Sequence, residues 1–289
     1  MPVQEPSHDA TADLVLLGDE AVALGAAHAG LSAAYAYPGT PSTEIMEYMR
    51  GLAAREGRPL ATWCANEKTA YEAALGASMA GKRTMVSMKH VGLNVAFDPF
   101  ISSAIVSVDG GLMVAVADDP GMHSSQNEQD SRCLADFARI ICLEPADQQQ
   151  AYDMARDAFE ISERFNVPVL LRLVTRLAHS RAPIRARGRV AENEACLDPD
   201  KNRWILLPTF SRRLWRRLLD QQAEIRAFME STPYNSLELT PGNRELGVIT
   251  TGIARTYYLE NAGELPERPS HLHVGAYPAP AEKIRELAR

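Results

Sequence analysis

Cysteine is scarce in this 289-residue chain, and its placement excludes several chemistries. Cys64, Cys133, Cys142 and Cys196 show no C-x-x-C spacing, so neither a zinc ribbon, nor an iron–sulfur ligand set, nor a disulfide framework is read from them. Such usage fits a reducing cytoplasm. Basic charge is also in deficit, with 30 Lys and Arg against 37 Asp and Glu, which removes the electrostatic case for nucleic acid or an anionic membrane as partner. Long apolar runs are missing: stretches such as Leu112 to Ala117 fall far short of the ~20 residues that span a bilayer, so no transmembrane helix is expected. Residues 1 to 13 lack the basic start and apolar segment of an export signal and are expected to be a disordered lead. There is no G-x-G-x-x-G and no G-x-S-x-G, which leaves a dinucleotide fold and a nucleophile elbow without support. Gly76 to Arg83 approaches a phosphate loop. However, Arg83 stands where that loop needs a hydroxyl, and the segment runs from helix to strand instead of strand to helix.

What the chain does have is alternation. Leu14–Leu17, Ala33–Tyr37, Leu60–Cys64, Thr84–Met88, Leu112–Ala117 and Val167–Leu173 read as strands, most of them buried on both faces, with helical stretches between them. Gly30 and Gly81 fall where two of these helices should stop. The clearest helix is Asp147 to Phe165, with Ala151, Met154, Ala155, Ala158, Phe159 and Ser162 on one face. This order predicts an α/β fold, a doubly wound and largely parallel sheet whose ligands bind beyond the carboxyl ends of the strands. Residues 181–243 read as a linker followed by a helix near Ser211 to Glu230, whose arginines suit a solvated face better than nucleic acid in so acidic a chain. From residue 244 to 289 the alternation resumes as one βαβα piece, too small for a domain of its own, so an incomplete second α/β domain is expected.

Four polar clusters sit at predicted strand ends. In Tyr37-Pro38-Gly39-Thr40-Pro41-Ser42-Thr43-Glu44, Thr40 suits an N-cap with Pro41 in the first helical turn. Capping alone accounts for the segment, while its amides and hydroxyls also face whatever lies above the strand. Asn66-Glu67-Lys68 follows the next strand, and its glutamate suits either a helix dipole or a ligand crevice. Lys89, His90 and Asn94 follow the fourth strand, and Asp118 to Ser131 forms a polar loop that is either a surface turn or a contact segment. Together the four clusters point to a site on one rim.

Those clusters, extended to Met88–Ala96 and Ala117–Arg132, resemble the large subunit of indolepyruvate:ferredoxin oxidoreductases, thiamine-diphosphate enzymes of the 2-oxoacid:ferredoxin oxidoreductase superfamily. The resemblance continues more weakly to Gly247–Ala254. It implies a pyrimidine-binding domain over residues 14–180 and the start of a transketolase-C-terminal-like domain from 244. It implies Glu67 as the group that activates the cofactor by bonding its pyrimidine nitrogen, with Pro38 and Gly39 beside the cofactor. Thr40 would meet the 2-oxoacid, and Lys89, His90 and Asn94 would stabilise charge near it. It also implies oxidative decarboxylation of an arylpyruvate to an acyl-coenzyme A, with electrons passing through iron–sulfur clusters to ferredoxin. A small (beta) subunit and a homodimer or heterotetramer would complete the enzyme. The family's Gly-Asp-Gly magnesium motif and its clustered cysteines are not in these residues. The diphosphate and Mg ligands must then come from a missing domain or subunit, and the chain alone should be inactive. No metal ligand set is read here. Two other classes stay open: a thiamine-diphosphate decarboxylase or synthase that uses no ferredoxin, and a noncatalytic interaction module.

Overall fold

A computed structural model describes residues 13–242 and 245–289; the expected lead at 1–13 lies outside them except for Asp13. The chain opens with β1 (Asp13–Leu17), α1 (Gly18–His28), β2 (Ala33–Ala36), α2 (Thr43–Glu56), β3 (Leu60–Trp63) and α3 (Glu67–Met79). Next come β4 (Thr84–Lys89), α4 (His90–Val95), α5 (Phe97–Ile105), β5 (Leu112–Asp118), α6 (Ser131–Ala138) and β6 (Ile141–Leu143). Then follow α7 (Gln148–Phe165), β7 (Val169–Val174), α8 (Thr175–Ala178), β8 (Arg181–Arg185) and α9 (Pro208–Ser231). The remainder is β9 (Asn235–Glu238), β10 (Gly247–Thr251), α10 (Ala254–Asn261), β11 (Ser270–Val274), β12 (Ala276–Tyr277) and α11 (Ala281–Leu287).

The expected parallel sheet is present as seven strands in the order β12-β6-β7-β5-β4-β2-β3, with only β12 antiparallel. Every residue of β4 and β5 is buried, because both sheet faces are covered. The helices that pack on one another sort into two groups, α1, α2 and α7 against α3, α5 and α6. That sorting is what right-handed crossovers give when the strand order reverses direction. The chain leaves the adjacent strands β2 and β4 toward opposite faces, and such a divergence opens a crevice above their carboxyl ends. The apolar stripe expected on α7 is buried, and Asp147 caps the helix by accepting the Gln150 amide at 2.8 Å. Gly30 and Gly81 do close their helices at positive φ, 78° and 81°.

Several elements differ from the sequence reading. β1 does not join the main sheet: it pairs antiparallel with β8, and both strands bury little more than one residue each, Leu16 and Ile184. The supposed linker therefore begins as a strand. Its continuation is tied back to the domain by the Val190 amide on the His28 carbonyl and the Cys196 amide on that of Ala80. β9, unforeseen, flanks β11 in a three-stranded sheet ordered β10-β11-β9. Finally, β12 crosses to the main sheet and pairs with β6, so the C-terminal piece shares a sheet with the first unit. No helix among the described residues is long and apolar enough to cross a membrane.

Candidate functional site

The predicted rim exists, and its residues divide into two groups. Above β2, the Tyr37–Ser42 turn is knotted around Gly39, whose amide donates to Thr43 Oγ1 at 3.0 Å and whose carbonyl accepts Ser42 Oγ at 2.7 Å. The cap position is Ser42 and not Thr40 as expected, because the two residues after Gly39 close a turn before α2 begins; Thr40 is left exposed. Gly39 approaches β4 so closely that a Cβ there would stand 3.0 Å from that of Lys89, which brings the ends of β2 and β4 into contact.

Glu67 opens α3, and Asn66 caps the helix by accepting the Thr69 amide at 2.8 Å. Asn66 thus makes the capping bond, while Glu67 in the first turn still complements the helix dipole and keeps its carboxyl free of a capping bond. Its side chain lies against α4: a Cβ on Gly92 would come within 2.6 Å of Glu67 Oε1. Among the described residues the Glu67 carboxyl makes no hydrogen bond or ion pair, whereas neighbouring Lys68 is engaged by Asp98 at 3.1 Å. The carboxylate is only half-buried, so it is open to solvent or to a ligand. Asn94, on the same short helix, is exposed.

Lys89 and His90 face the other way. Lys89 Nζ donates to the Ser124 carbonyl at 2.8 Å, and His90 Nε2 lies 3.1 Å from the Asn127 carbonyl, leaving a buried Nδ1 without a partner. Both therefore hold the polar loop after β5. Asp119 holds it too, accepting the Ser124 amide at 2.8 Å, Ser125 Oγ at 2.6 Å and Thr175 Oγ1 at 2.7 Å. Burial works to raise the Asp119 pKa, yet these hydrogen bonds keep the carboxyl well below its usual range. Of the two readings of this loop, surface turn or contact segment, the contact role is not needed to order it, because its own chain supplies these bonds.

Beyond that loop lies a network the sequence reading missed. Arg172, buried in β7, bonds Asp118 at 2.6 Å and also Glu144. Ser131 donates its amide (3.0 Å) and its hydroxyl to Asp118. Arg132 joins Asp130 at 2.7 Å, Glu144 at 3.2 Å and the Tyr277 hydroxyl at 3.0 Å, and that hydroxyl donates to Glu144 at 2.8 Å. A cavity of about 530 Å³ opens beside it, lined among others by Arg132, Glu144, Arg172, Arg176, Thr251 and Tyr257. One signal for this network was legible: an arginine inside the apolar run of β7 must find buried anions.

Comparison with known proteins places the chain. The family model for the thiamine-diphosphate-binding region of pyruvate flavodoxin/ferredoxin oxidoreductases matches residues 24–205. Over 95% of its length the chain is 40% identical to the indolepyruvate oxidoreductase subunit IorA of Methanothermobacter thermautotrophicus, covering 44% of that protein. It is 42% identical over 86% of its length to the same subunit of Pyrococcus abyssi, covering 39% of it. The chain thus spans about two fifths of the curated relatives it matches. Among solved structures, a 2-oxoglutarate:ferredoxin oxidoreductase from Magnetococcus marinus superposes with a TM-score of 0.78 at 19% identity, over 95% of this chain and 56% of that one. At that identity the likeness speaks for the fold.

Proposed function

The chain belongs to the thiamine-diphosphate-binding family of pyruvate flavodoxin/ferredoxin oxidoreductases, and on that footing we propose that it is the pyrimidine-binding part of an indolepyruvate:ferredoxin oxidoreductase. The observation that carries this reading is the Glu67 carboxyl, unpartnered and pressed against Gly92 beside the crevice between β2 and β4. When bound, thiamine diphosphate supplies a nucleophilic carbon that adds to the keto carbon of a 2-oxoacid. Glu67 fits the role of holding a proton at the pyrimidine ring nitrogen, since among the described residues no donor or acceptor competes for it. Asn66 fixes where that carboxyl starts, and Gly92 lets it lie against α4 where any side chain would displace it. Gly39 and Pro38 lie in the turn above β2, and Thr40, exposed in that turn, would meet the 2-oxoacid carboxylate. Asn94, also exposed, can donate to substrate. Lys89 and His90 act one step removed, by fixing the loop from Ser124 to Asn127.

The remaining assignments follow the relatives. Residues 14–180, with β8 paired to β1, form the pyrimidine-binding unit, and those from 244, with β9 paired to β11, begin a transketolase-C-terminal-like unit. The Mg and diphosphate ligands and the iron–sulfur clusters belong to the rest of the enzyme. Coenzyme A takes the acyl group, ferredoxin takes the electrons, and a small subunit completes a dimer or heterotetramer. The test is anaerobic ferredoxin reduction by the complete enzyme with indolepyruvate and coenzyme A. Coenzyme A-dependent reduction supports the reading, and decarboxylation without any electron transfer would replace it with a non-oxidative activity.

A further inference from the structure

Three side chains from three helices converge, among them Glu44 at the end of the first rim cluster. Asp19 lies in the first turn of α1, Glu44 in the first turn of α2 and His179 at the end of α8, and one ligand atom from each lies within 4.8 Å of the others. Glu44 Oε2 stands 3.4 Å from His179 Nε2. Asp19 is fully buried, and among the described residues neither of its oxygens has a donor other than a proton shared with Glu44; Glu44 Oε2 is likewise buried without another donor. Helix capping does not account for Asp19, because the reciprocal bond at the start of α1 is made by Glu20, which accepts the Leu17 amide at 2.8 Å. Nor does an ion pair, since nearby Arg181 goes to Glu20. Two adjoining carboxylates with orphaned oxygens need either a proton or a cation between them.

We propose that Asp19, Glu44 and His179 form a binding site for one divalent transition-metal ion. Two carboxylate oxygens and an imidazole nitrogen are donors suited to Zn²⁺ or Mn²⁺, with water completing the shell, and Zn²⁺ binds the more tightly in the general order of such ions. The partly exposed His179 and Glu44 provide the entry path, and Asp19 is the buried floor. An ion there ties α1, α2 and α8 together. It does so one residue beyond Thr43, whose hydroxyl accepts the Gly39 amide.

The experiment uses the whole chain, stripped with a chelator, loaded with Zn²⁺ or, separately, Mn²⁺, and passed over a sizing column. Retained metal is measured by mass spectrometry and thermal unfolding is followed in parallel. One Zn²⁺ retained per chain with a raised Tm is expected, and Mn²⁺ should be held more weakly at the same site. Asp19→Asn and His179→Ala should each lose both the metal and the shift. His179 is partly exposed, so its variant keeps the fold and separates loss of the site from loss of structure. Retention undiminished in both variants would place the metal elsewhere, for instance on exposed Cys133 or Cys196, and overturn the proposal. No retained metal, with Asp19→Asn more stable than the parent, would identify a shared proton instead and overturn it equally.

Discussion

The carboxyl edge of the sheet carries two polar clusters built on opposite plans. Over β6, β7 and β5, Arg172, Asp118, Glu144, Arg132 and Tyr277 satisfy one another in a buried network, and every charge has its counterpart. Over β4, β2 and β3, Glu67 is unpartnered and Thr40 and Asn94 are exposed. One half spends its polar groups on itself and the other keeps them available, though both lie at the ends of the same parallel strands. The crowded half is thus the less informative about a ligand, even though it has the larger count of charged residues. Lys89 and His90 stand at the boundary, rising from β4 but bonded toward the loop of the locked half.

The sharpest way to break this contrast is Glu67→Gln. If the free half does chemistry, turnover of the complete enzyme should fall by about 10²–10⁴, the usual size of a general acid–base loss, while the urea midpoint of the chain stays put. Unchanged turnover would remove Glu67 from the reaction. Arg172→Met should do the reverse. Leaving Asp118 buried with no cation beside it, and Glu144 with Arg132 as its remaining cation, should destabilise the chain by about 3–5 kcal/mol in equilibrium unfolding. A loss under ~1 kcal/mol would mean that the network holds little. Gly92→Ala lies between the two: the added methyl must move either Glu67 or α4, at about 1–3 kcal/mol for overpacking, and should lower turnover along with stability. A variant as stable and as active as the parent would show that the close packing of Glu67 on α4 does not matter.

Acid provides the smallest and most selective probe. Hydrogen bonds keep Asp119 ionised to well below the usual carboxylate range, so its share of stability, present above ~3.8, is lost only in strong acid. His28 lies on the opposite slope: burial, then the Arg189 and Arg156 guanidinium groups, push its imidazole down to about 4. Its folded value lies below the ~6.5 of an ordinary histidine, so the unfolded chain takes up the proton first. That contribution to stability is complete above ~6.5 and is lost as the pH falls toward 4. His28→Gln should flatten the decline of the urea midpoint between pH 6.5 and 4 relative to the parent, and parallel curves would assign the decline to other groups.

How far the sequence revealed this molecule follows from burial. β4, β5 and β7 were legible because strands covered on both faces become continuous apolar runs, and α7 because its stripe repeats at helical spacing. β8 was not, since Arg181 to Arg185 pairs only with β1 at the surface, buries Ile184 alone and tolerates Pro183 at an edge. β6 is three residues long, too short for periodicity to register. In the free half the compact motifs around Glu67 and Gly39 were visible in the sequence, although the cap fell at Ser42 and not at Thr40. The locked half was not: Arg172, Glu144 and Tyr277 are scattered along the chain, and only tertiary pairing shows what they do.

The antiparallel strand β12 also sets the order in which the molecule can be assembled. The six parallel strands of the main sheet are complete by Val174, so they can pair as soon as that much chain has been synthesised. The seventh place is filled by Ala276 and Tyr277. Until they arrive, the edge of β6 is bare and Glu144 lacks the Tyr277 hydroxyl that later donates to it. A nascent chain halted before residue 276 therefore presents an open sheet edge beside an unfinished charge cluster, the kind of surface to which chaperones bind and from which aggregation starts.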